Sequence, residues 1–159
     1  MSIEKLGVVG AGMMGSEIAL VFAMAGKSVL LADTSEEGLK AAIKKLSEVL
    51  DSGIARGFWA EEDKPLALSR ITTTTSLEDF SDREMVIEAV FEDLDLKKKI
   101  VADVEASTPE HCIFATNTSA IPISAIAEGA KRPENIVGMH YFAPGPSMPL
   151  LEVLPHEGT

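Results

Sequence analysis

Short apolar runs alternate along this chain with segments in which apolar residues recur at helical spacing. The runs have the length of buried strands, and the periodic segments place their apolar side chains on one face of a helix. The predicted strands cover residues 5–10, 28–33, 70–75, 85–90, 112–117 and 136–142. Strands that alternate with helices form a parallel sheet wound by right-handed crossovers. The pattern therefore predicts an α/β fold with a doubly wound, mostly parallel sheet.

Residues with the chemistry of helix ends bound the predicted helices. Gly26 follows the first helix, residues 14–25, as its expected C-cap, and Ser35 is placed to cap the second helix at its N-terminus. Gly53 and Gly57 interrupt the helical pattern before a shorter helical segment, so we expect a helical hairpin inserted after the second strand. Two further helices are predicted over residues 94–106 and 123–127.

A loop rich in proline and glycine, residues 143–149, separates the last of these strands from a second apolar run. Each of the two runs carries one ionisable residue, His140 in the first and Glu152 in the second. If the runs pair as an antiparallel hairpin, these two residues stand nearly opposite each other, with Cβ atoms about 5 Å apart. We therefore predict an antiparallel C-terminal strand and a histidine–glutamate pair inside a hydrophobic hairpin.

The composition limits the classes of function that suit the chain. A length of 159 residues suits one domain, and a net charge of −11 argues against a nucleic-acid or anionic-membrane partner. No apolar stretch approaches the ~20 residues of a membrane span, and the N-terminus lacks the pattern of a secretory signal. Cys112 is the only cysteine and no Cys/His cluster has metal-site spacing, so we expect no disulfide and no structural metal. These features favour a cytoplasmic protein, or an organellar-matrix protein in a eukaryote, over a secreted one.

The segment "GAGMMG" after the first strand has the spacing G-x-G-x-x-G. It joins a strand to a helix, and Asp33 ends the next strand; together these features form the dinucleotide-binding fingerprint of a Rossmann-type fold. The residues of the segment predicted to contact the cofactor are Gly10, Gly12, Met13, Met14 and Gly15. Asp33 is expected to accept hydrogen bonds from the adenosine ribose and to repel a 2′-phosphate, which favours NAD over NADP.

Small polar side chains follow the fifth strand, at Asn117, Thr118 and Ser119. Ligands of wound sheets bind at the carboxyl ends of the strands, so these side chains are placed to hold a polar ligand. Asx and Ser/Thr turns that end strands have the same sequence pattern, and both interpretations stay open. No G-x-S-x-G elbow surrounds Ser119, which argues against a serine nucleophile.

The pair of His140 and Glu152 has the chemistry of a general base. A lone strand histidine is more often a satisfied core residue, but a carboxylate partner changes this interpretation. Glu152 would accept a hydrogen bond from one ring nitrogen, fix the tautomer and leave the other nitrogen to exchange a proton with a substrate. The alternative is a structural buried ion pair, which contributes little net stability. We therefore interpret His140 as a base and Glu152 as the residue that orients it.

Four ordered segments, "GVVGAGMMGSEIA", "VIEAVFEDLDLK", "FATNTSAIPI" and "GMHYFAPGPSMPLLEV", resemble the NAD-binding domain of L-3-hydroxyacyl-CoA dehydrogenases. The last three are most similar to the dehydrogenase part of multifunctional fatty-acid oxidation proteins. The resemblance implies oxidation of a 3-hydroxyacyl-CoA to the 3-ketoacyl-CoA, with NAD as cofactor and an acyl-CoA as substrate.

The resemblance also implies roles for individual residues. His140 matches the catalytic base of the family, Glu152 its partner, and Ser119 the serine that hydrogen-bonds the 3-oxygen of the substrate. Asn117 matches a neighbouring site asparagine. Two further positions, Glu92 and Lys97, match residues that line the nicotinamide side; without the resemblance Lys97 would be interpreted as part of a solvated helix face.

The chain departs from the family pattern in length and at two positions. We expect residues 1–159 to be a truncated NAD-binding domain that lacks a helical C-terminal domain for substrate binding and dimerisation. The expected partners are therefore that missing domain or a second copy of the chain. Glu17 replaces a small residue near the phosphates, and the proline-rich loop, residues 143–149, is expected to alter the substrate entrance.

Two alternatives to a dehydrogenase that acts on acyl-CoA stay open at this stage. The first is an NAD-binding module that holds the cofactor without turnover by itself. The second is a related dehydrogenase of hydroxy acids that carry no CoA, because nothing in the sequence specifies the acyl group or its carrier.

Overall fold

A seven-stranded sheet runs through the computed structural model, which describes residues 2–143 and 146–159. Its strands are β1 (Lys5–Val9), β2 (Ser28–Ala32), β3 (Ile71–Thr74), β4 (Met85–Glu88), β5 (Ile113–Thr116), β6 (Ile136–Tyr141) and β7 (Leu151–Leu154). Their order across the sheet is β3-β2-β1-β4-β5-β6-β7, and all neighbours are parallel except β6 and β7. The predicted fold class, with its antiparallel C-terminal strand, is confirmed.

The helices begin and end close to the positions that the sequence predicts. They are α1 (Met13–Met24), α2 (Glu36–Ala55), α3 (Asp63–Ser69), α4 (Leu94–Ser107) and α5 (Ile123–Ala127), with 3₁₀ helices at Leu77–Phe80 and Pro133–Asn135. The Ser35 hydroxyl accepts a hydrogen bond from the Gly38 amide at 3.0 Å and so caps α2 as predicted. The helical hairpin expected after the second strand consists of α2 and α3. The expectation that Gly53 interrupts the helix was wrong: Gly53 lies within α2, where the Trp59 ring packs so closely that a Cβ would lie 2.2 Å from it. No helix within the described residues combines the length and the apolarity that a membrane span requires.

Alternate residues of the central strands fill two separate cores. Val8 of β1 packs in a cluster with Ile18 of α1, while its neighbour Val9 packs in a second cluster with Val101 of α4. Successive side chains of a strand point to opposite faces of a sheet, so the two clusters lie on opposite faces. This arrangement explains why the central strands are continuous apolar runs instead of alternating ones.

The direction of winding reverses between β1 and β4. From β1 the chain continues to β2 and β3 on one side, and then returns to place β4, β5 and β6 on the other side. Such a reversal leaves a crevice at the carboxyl ends of the two adjacent strands, where ligands of open α/β sheets bind. The segments that follow β1, β4 and β5 all meet at this edge of the sheet.

The C-terminal hairpin has the predicted register but lacks the predicted burial. His140 pairs directly with Glu152 across β6 and β7. All four residues of β7 are exposed, and Val153 retains 57% of its accessible surface. The expectation of a buried hairpin was wrong because β7 is the last strand of the sheet, and an apolar run alone does not say what covers it. Pro144 and Gly145, in the loop expected to alter the substrate entrance, lie outside the described residues.

Candidate active site

The three glycines of the first turn meet three different geometric requirements. Gly10 has a φ of +102°, a left-handed conformation that side chains rarely adopt. A Cβ at Gly15 would lie 1.7 Å from the Gly10 carbonyl oxygen, so only glycine allows α1 to approach β1 this closely. A Cβ at Gly12 would meet no atom within 4 Å. Gly12 therefore borders open space, as expected where a ligand approaches the backbone.

The N-terminus of α1 presents amide groups that no side chain caps. Gly12 is the N-cap residue and accordingly contributes no side-chain hydrogen bond, and the first turn contains no acidic residue. Met13 is exposed and Met14 is half-buried. Unpaired N–H groups at a helix N-terminus attract an anion through hydrogen bonds and through the helix dipole. This end of the site fits the pyrophosphate of a dinucleotide.

Asp33 follows β2 and connects the turn after β1 to the segment that leads into α2. Its Oδ2 accepts a hydrogen bond from the Ala11 amide at 2.8 Å, and its Oδ1 accepts one from the Ser35 amide at 3.0 Å. The carboxylate is thus held next to the glycine-rich turn. Each carboxylate oxygen has a second lone pair, so Asp33 can still accept hydrogen bonds from ribose hydroxyls.

Ser119, His140 and Glu152 form one line of hydrogen bonds at the chemical end of the site. His140 Nδ1 lies 2.8 Å from Glu152 Oε2, and His140 Nε2 lies 3.2 Å from Ser119 Oγ. An ionised carboxylate only accepts hydrogen bonds, so Nδ1 carries the proton and its N–H donates a hydrogen bond to Glu152 Oε2. In the neutral imidazole Nε2 is then the basic nitrogen, and the Ser119 hydroxyl donates to it.

Neighbouring residues restrict the orientation of the imidazole and of the strand that carries it. The ring of Phe142 lies against His140, with a centroid separation of 4.4 Å. Asn117 Oδ1 accepts a hydrogen bond from the Tyr141 amide at 2.8 Å and so ties the end of β5 to the end of β6. The side chains of His140 and Glu152 are 19% and 49% exposed, so the pair faces solvent at the edge of the sheet.

Glu92 holds the loop that carries Ser119. Its carboxylate accepts hydrogen bonds from the Ser119 amide at 2.5 Å and from the Thr118 hydroxyl at 2.8 Å. Partial burial alone would raise the pKa of Glu92. The hydrogen bonds from Ser119 and Thr118, together with the charge of Lys97, outweigh this effect and hold the pKa of Glu92 below its ordinary value. Glu92 is therefore an ionised anchor for the loop after β5.

Lys97 is buried, contrary to what the composition of its helix face indicates. The side chain is 1% exposed, and its Nζ lies 2.7 Å from Oε1 of Glu88, whose side chain is fully buried. The remaining oxygen of Glu88 accepts a hydrogen bond from the Thr116 hydroxyl at 2.7 Å. The sequence reasoning missed both Glu88 and Thr116. The available signal was a glutamate inside the otherwise apolar run "MVIEAV", which requires a partner if it is buried.

Glu17, the residue that departs from the family pattern, lines a cavity of about 190 Å³. The other lining residues come from the C-terminal part of α2, from the turn that follows it and from residues 146–147. The carboxylate thus borders a separate concavity beside α1.

Comparison with known proteins identifies a family. Residues 5–159 match the family described as "3-hydroxyacyl-CoA dehydrogenase, NAD binding domain". Among curated relatives, the fatty acid oxidation complex subunit alpha of Shewanella amazonensis is 46% identical over 160 residues. That match covers 99% of the chain and 22% of the relative, so the chain spans about a fifth of the length of the curated relatives it matches.

Solved structures agree with this match. The crystal structure of FadB2 from M. tuberculosis superposes with a TM-score of 0.94 at 37% identity, covering 99% of this chain and 57% of that chain. The structure of (S)-3-hydroxybutyryl-CoA dehydrogenase PaaH1 from Ralstonia eutropha superposes with a TM-score of 0.96 at 37% identity, covering 99% and 56% of the two chains.

Proposed function

The chain belongs to the family of 3-hydroxyacyl-CoA dehydrogenase NAD-binding domains, and from this membership we propose that it serves the NAD-dependent oxidation of a 3-hydroxyacyl-CoA to a 3-ketoacyl-CoA. The observation that carries the proposal is the hydrogen-bonded line of Ser119, His140 and Glu152. It provides a base whose reactive nitrogen sits beside a hydroxyl donor, which is what removal of a proton from an alcohol requires.

In the proposed reaction, His140 Nε2 accepts the proton of the 3-hydroxyl group while a carbon–oxygen double bond forms at C3. The positive charge that develops on the imidazole lies next to Glu152, so the carboxylate stabilises the protonated ring and keeps its orientation. The Ser119 hydroxyl, which lies within hydrogen-bond distance of His140 Nε2, donates to the 3-oxygen of the substrate instead of to Nε2 once that oxygen lies within hydrogen-bond reach of both groups.

NAD, when bound, supplies the acceptor for the hydride that leaves C3. The amides at the start of α1 hold its pyrophosphate, with Gly12 leaving room for the approach, and Asp33 holds its adenosine ribose. We place Met13, Met14 and Asn117 along the same groove, and we assign Glu92 and Lys97 to the nicotinamide side.

The rest of the proposal concerns what lies beyond this chain. We propose that turnover also requires a further helical domain, because the curated relatives are several times longer than the chain. The proposed working compartment is the cytoplasm or an organellar matrix, which suits a single unpaired cysteine, Cys112.

The substitution His140→Gln tests the proposed base in a full-length protein that contains this domain. Glutamine keeps a polar side chain but cannot accept and release a proton at neutral pH, so we expect a loss of about 10²–10⁴-fold in the rate of acetoacetyl-CoA reduction. The affinity for NADH, measured by fluorescence titration, should remain nearly unchanged. A variant that loses NADH binding would show that His140 is structural, and a variant with normal turnover would exclude it as the base.

A further inference from the structure

A second, buried charge pair lies behind the proposed catalytic line and is connected to it. Glu88 and Lys97 form an ion pair with almost no exposed surface, at the point where β4 ends and α4 begins. Removing two charges from water costs several kcal/mol per ion, and apolar residues of similar volume often give equal or greater stability. The stability of the fold is therefore a weak explanation for this pair, and its neighbours indicate a better one.

The partners of Glu88 come from three separate segments at the carboxyl edge of the sheet. Oε1 accepts hydrogen bonds from Lys97 Nζ and from the Val90 amide, each at 2.7 Å. Oε2 accepts the Thr116 hydroxyl at 2.7 Å. One carboxylate thus joins the end of β4, the loop after it, the first turns of α4 and the end of β5. No buried side-chain polar atom in the described residues lacks a partner, so this network is fully satisfied.

Lys97 extends the network toward Ser119. Besides Glu88, its ammonium group lies 3.6 Å from Glu92 Oε2, and Glu92 in turn accepts the Ser119 amide and the Thr118 hydroxyl. Ser119 Oγ then meets His140 Nε2 at 3.2 Å. A continuous series of polar contacts therefore runs from the fully buried Glu88 to the half-buried imidazole of His140.

We propose that Glu88 is a positioning residue for Ser119: by fixing the Lys97 ammonium it fixes Glu92, which holds the Ser119 amide and thereby sets the Ser119 hydroxyl against His140. The inference deepens the proposed dehydrogenase function, on which the role of Ser119 rests. It assigns the positioning of Ser119 to Glu88, with Thr116 as a hydrogen-bond donor to Glu88. Neither residue belongs to a motif that the sequence analysis singled out.

The physical consequence of removing the charge of Glu88 follows from the contacts of Lys97. Within the described residues, Glu92 becomes the only carboxylate near the buried ammonium. The ammonium then draws Glu92 toward itself, which weakens the hydrogen bond from the Ser119 amide to Glu92.

The test is the exchange rate of the Ser119 amide proton, measured by NMR on the chain without cofactor or substrate. The slowest-exchanging amides of β1 and β4 report the global stability of the domain. After correction for any change in these amides, we expect the Ser119 amide to exchange about tenfold faster in Glu88→Gln than in the unaltered chain. Because no activity is measured, a failure of the proposed dehydrogenase function leaves this result unaffected, and an unchanged exchange rate overturns the positioning role alone.

A matched control comes from the other end of α4. Glu105 is also a mostly buried carboxylate; it accepts the Lys131 and Arg132 amides and has no contact with the loop of Ser119. The Glu105→Gln variant should leave the exchange of Ser119 unchanged relative to global stability. An equal acceleration in both variants would show a general loosening of the domain and would overturn the proposal.

If Glu88→Gln does not fold, Thr116→Val decides the question. This substitution keeps both charges and the side-chain shape, and it removes only the hydroxyl that donates to Glu88 Oε2. We expect an acceleration of about threefold at Ser119, because the lost hydrogen bond is made to Glu88, which is three contacts away from Ser119. A folded Thr116→Val variant with unchanged Ser119 exchange overturns the proposal.

Discussion

Tyr141 shares β6 with His140, and consecutive side chains of a strand point to opposite faces. The imidazole therefore faces Ser119, while the phenol packs edge-on against Phe22 of α1, with ring centroids 6.4 Å apart. Burial raises the pKa of Tyr141 to about 12. One strand thus holds the half-buried imidazole of His140 in place by anchoring the neighbouring Tyr141 against the core.

This anchoring predicts the alkaline behaviour of the protein. Tyr141 is the only tyrosine, so absorbance near 295 nm reports its ionisation without interference from other phenols. We expect a midpoint near pH 12 in the folded state instead of the ordinary value near 10. In the pH range between these values the unfolded phenol has lost its proton while the folded one has not, so the free energy of unfolding should fall as the pH rises. A midpoint near pH 10 in folded protein would show that the ring is solvated.

Asp33 is the residue that should determine which dinucleotide binds. Replacing it with alanine removes the negative charge that opposes a 2′-phosphate, so we expect weaker NAD binding and a relative gain for NADP, measured by titration of both reduced cofactors. The carboxylate also holds the Ala11 amide, and Asp33→Asn, which keeps an acceptor oxygen, separates the two roles. An unchanged preference in both variants would count against a ribose contact.

The contacts of a single residue could be predicted where the residues near it in the sequence determine its position. The pairing of His140 with Glu152 could be predicted because symmetric placement around a turn determines register. The burial of Lys97 could not, because a lysine in a "KKK" run resembles a solvated helix face until its partner is known. That partner, Glu88, precedes Lys97 by nine residues, and only the fold brings the two together.

At the scale of elements, two alanine substitutions in the turn between β1 and α1 separate the packing of the turn from its binding of the cofactor. Gly15→Ala would place a Cβ against the Gly10 carbonyl, so we expect a loss of about 1–3 kcal/mol in the free energy of unfolding, as for overpacked cores. Gly12→Ala adds the same methyl group to open space and should change stability by less than about 1 kcal/mol. NADH affinity should nevertheless fall in Gly12→Ala, because the methyl group occupies the approach to the backbone.

Urea unfolding and NADH fluorescence titration on the two variants check this prediction. If Gly12→Ala bound NADH as well as the unaltered chain does, the cofactor would not approach this turn. If Gly15→Ala were as stable as the unaltered chain, the close contact between α1 and β1 would be adjustable.

Helices and strands were predictable from local chemistry, whereas their surroundings were not. Ser35 as a cap, Gly26 after α1 and the limits of α5 follow from propensities that act within a few residues. The sheet order and the exposure of β7 depend on which elements pack together over long distances. An apolar run such as "PLLEVLP" has the same pattern whether a partner covers it or not.

At the scale of the whole molecule, the exposed β7 and the acidic net charge bear on how the domain functions. The overall field of a chain with net charge −11 repels anions, so binding of an anionic cofactor has to depend on local amide groups. Such groups are available at the start of α1. The apolar side chains of β7, in contrast, lack any cover within the described residues, beside His140 and Glu152.

The last prediction follows from this contrast between the uncapped amides at the start of α1 and the exposed strand β7 beside His140 and Glu152. We expect the purified chain to bind NADH, because the glycine-rich turn, the α1 amides and Asp33 all belong to it. We expect its acetoacetyl-CoA reduction to be at least about 10²-fold slower than that of a full-length relative, because bulk water reaches Glu152, whose side chain is 49% exposed, in the isolated chain.

Adding the remaining portion of a relative in trans should restore activity if an uncovered site is the only defect, and the restored rate should saturate with the concentration of the added portion. His140→Gln in the same mixture is the matched control, since it should bind the added portion and remain slow. Turnover by the isolated chain at the rate of a full-length enzyme would show that one domain suffices, and the exposed β7 would then need another explanation. Failure to bind NADH would instead place the defect at the turn between β1 and α1, where the uncapped amides of α1 lie beside Asp33.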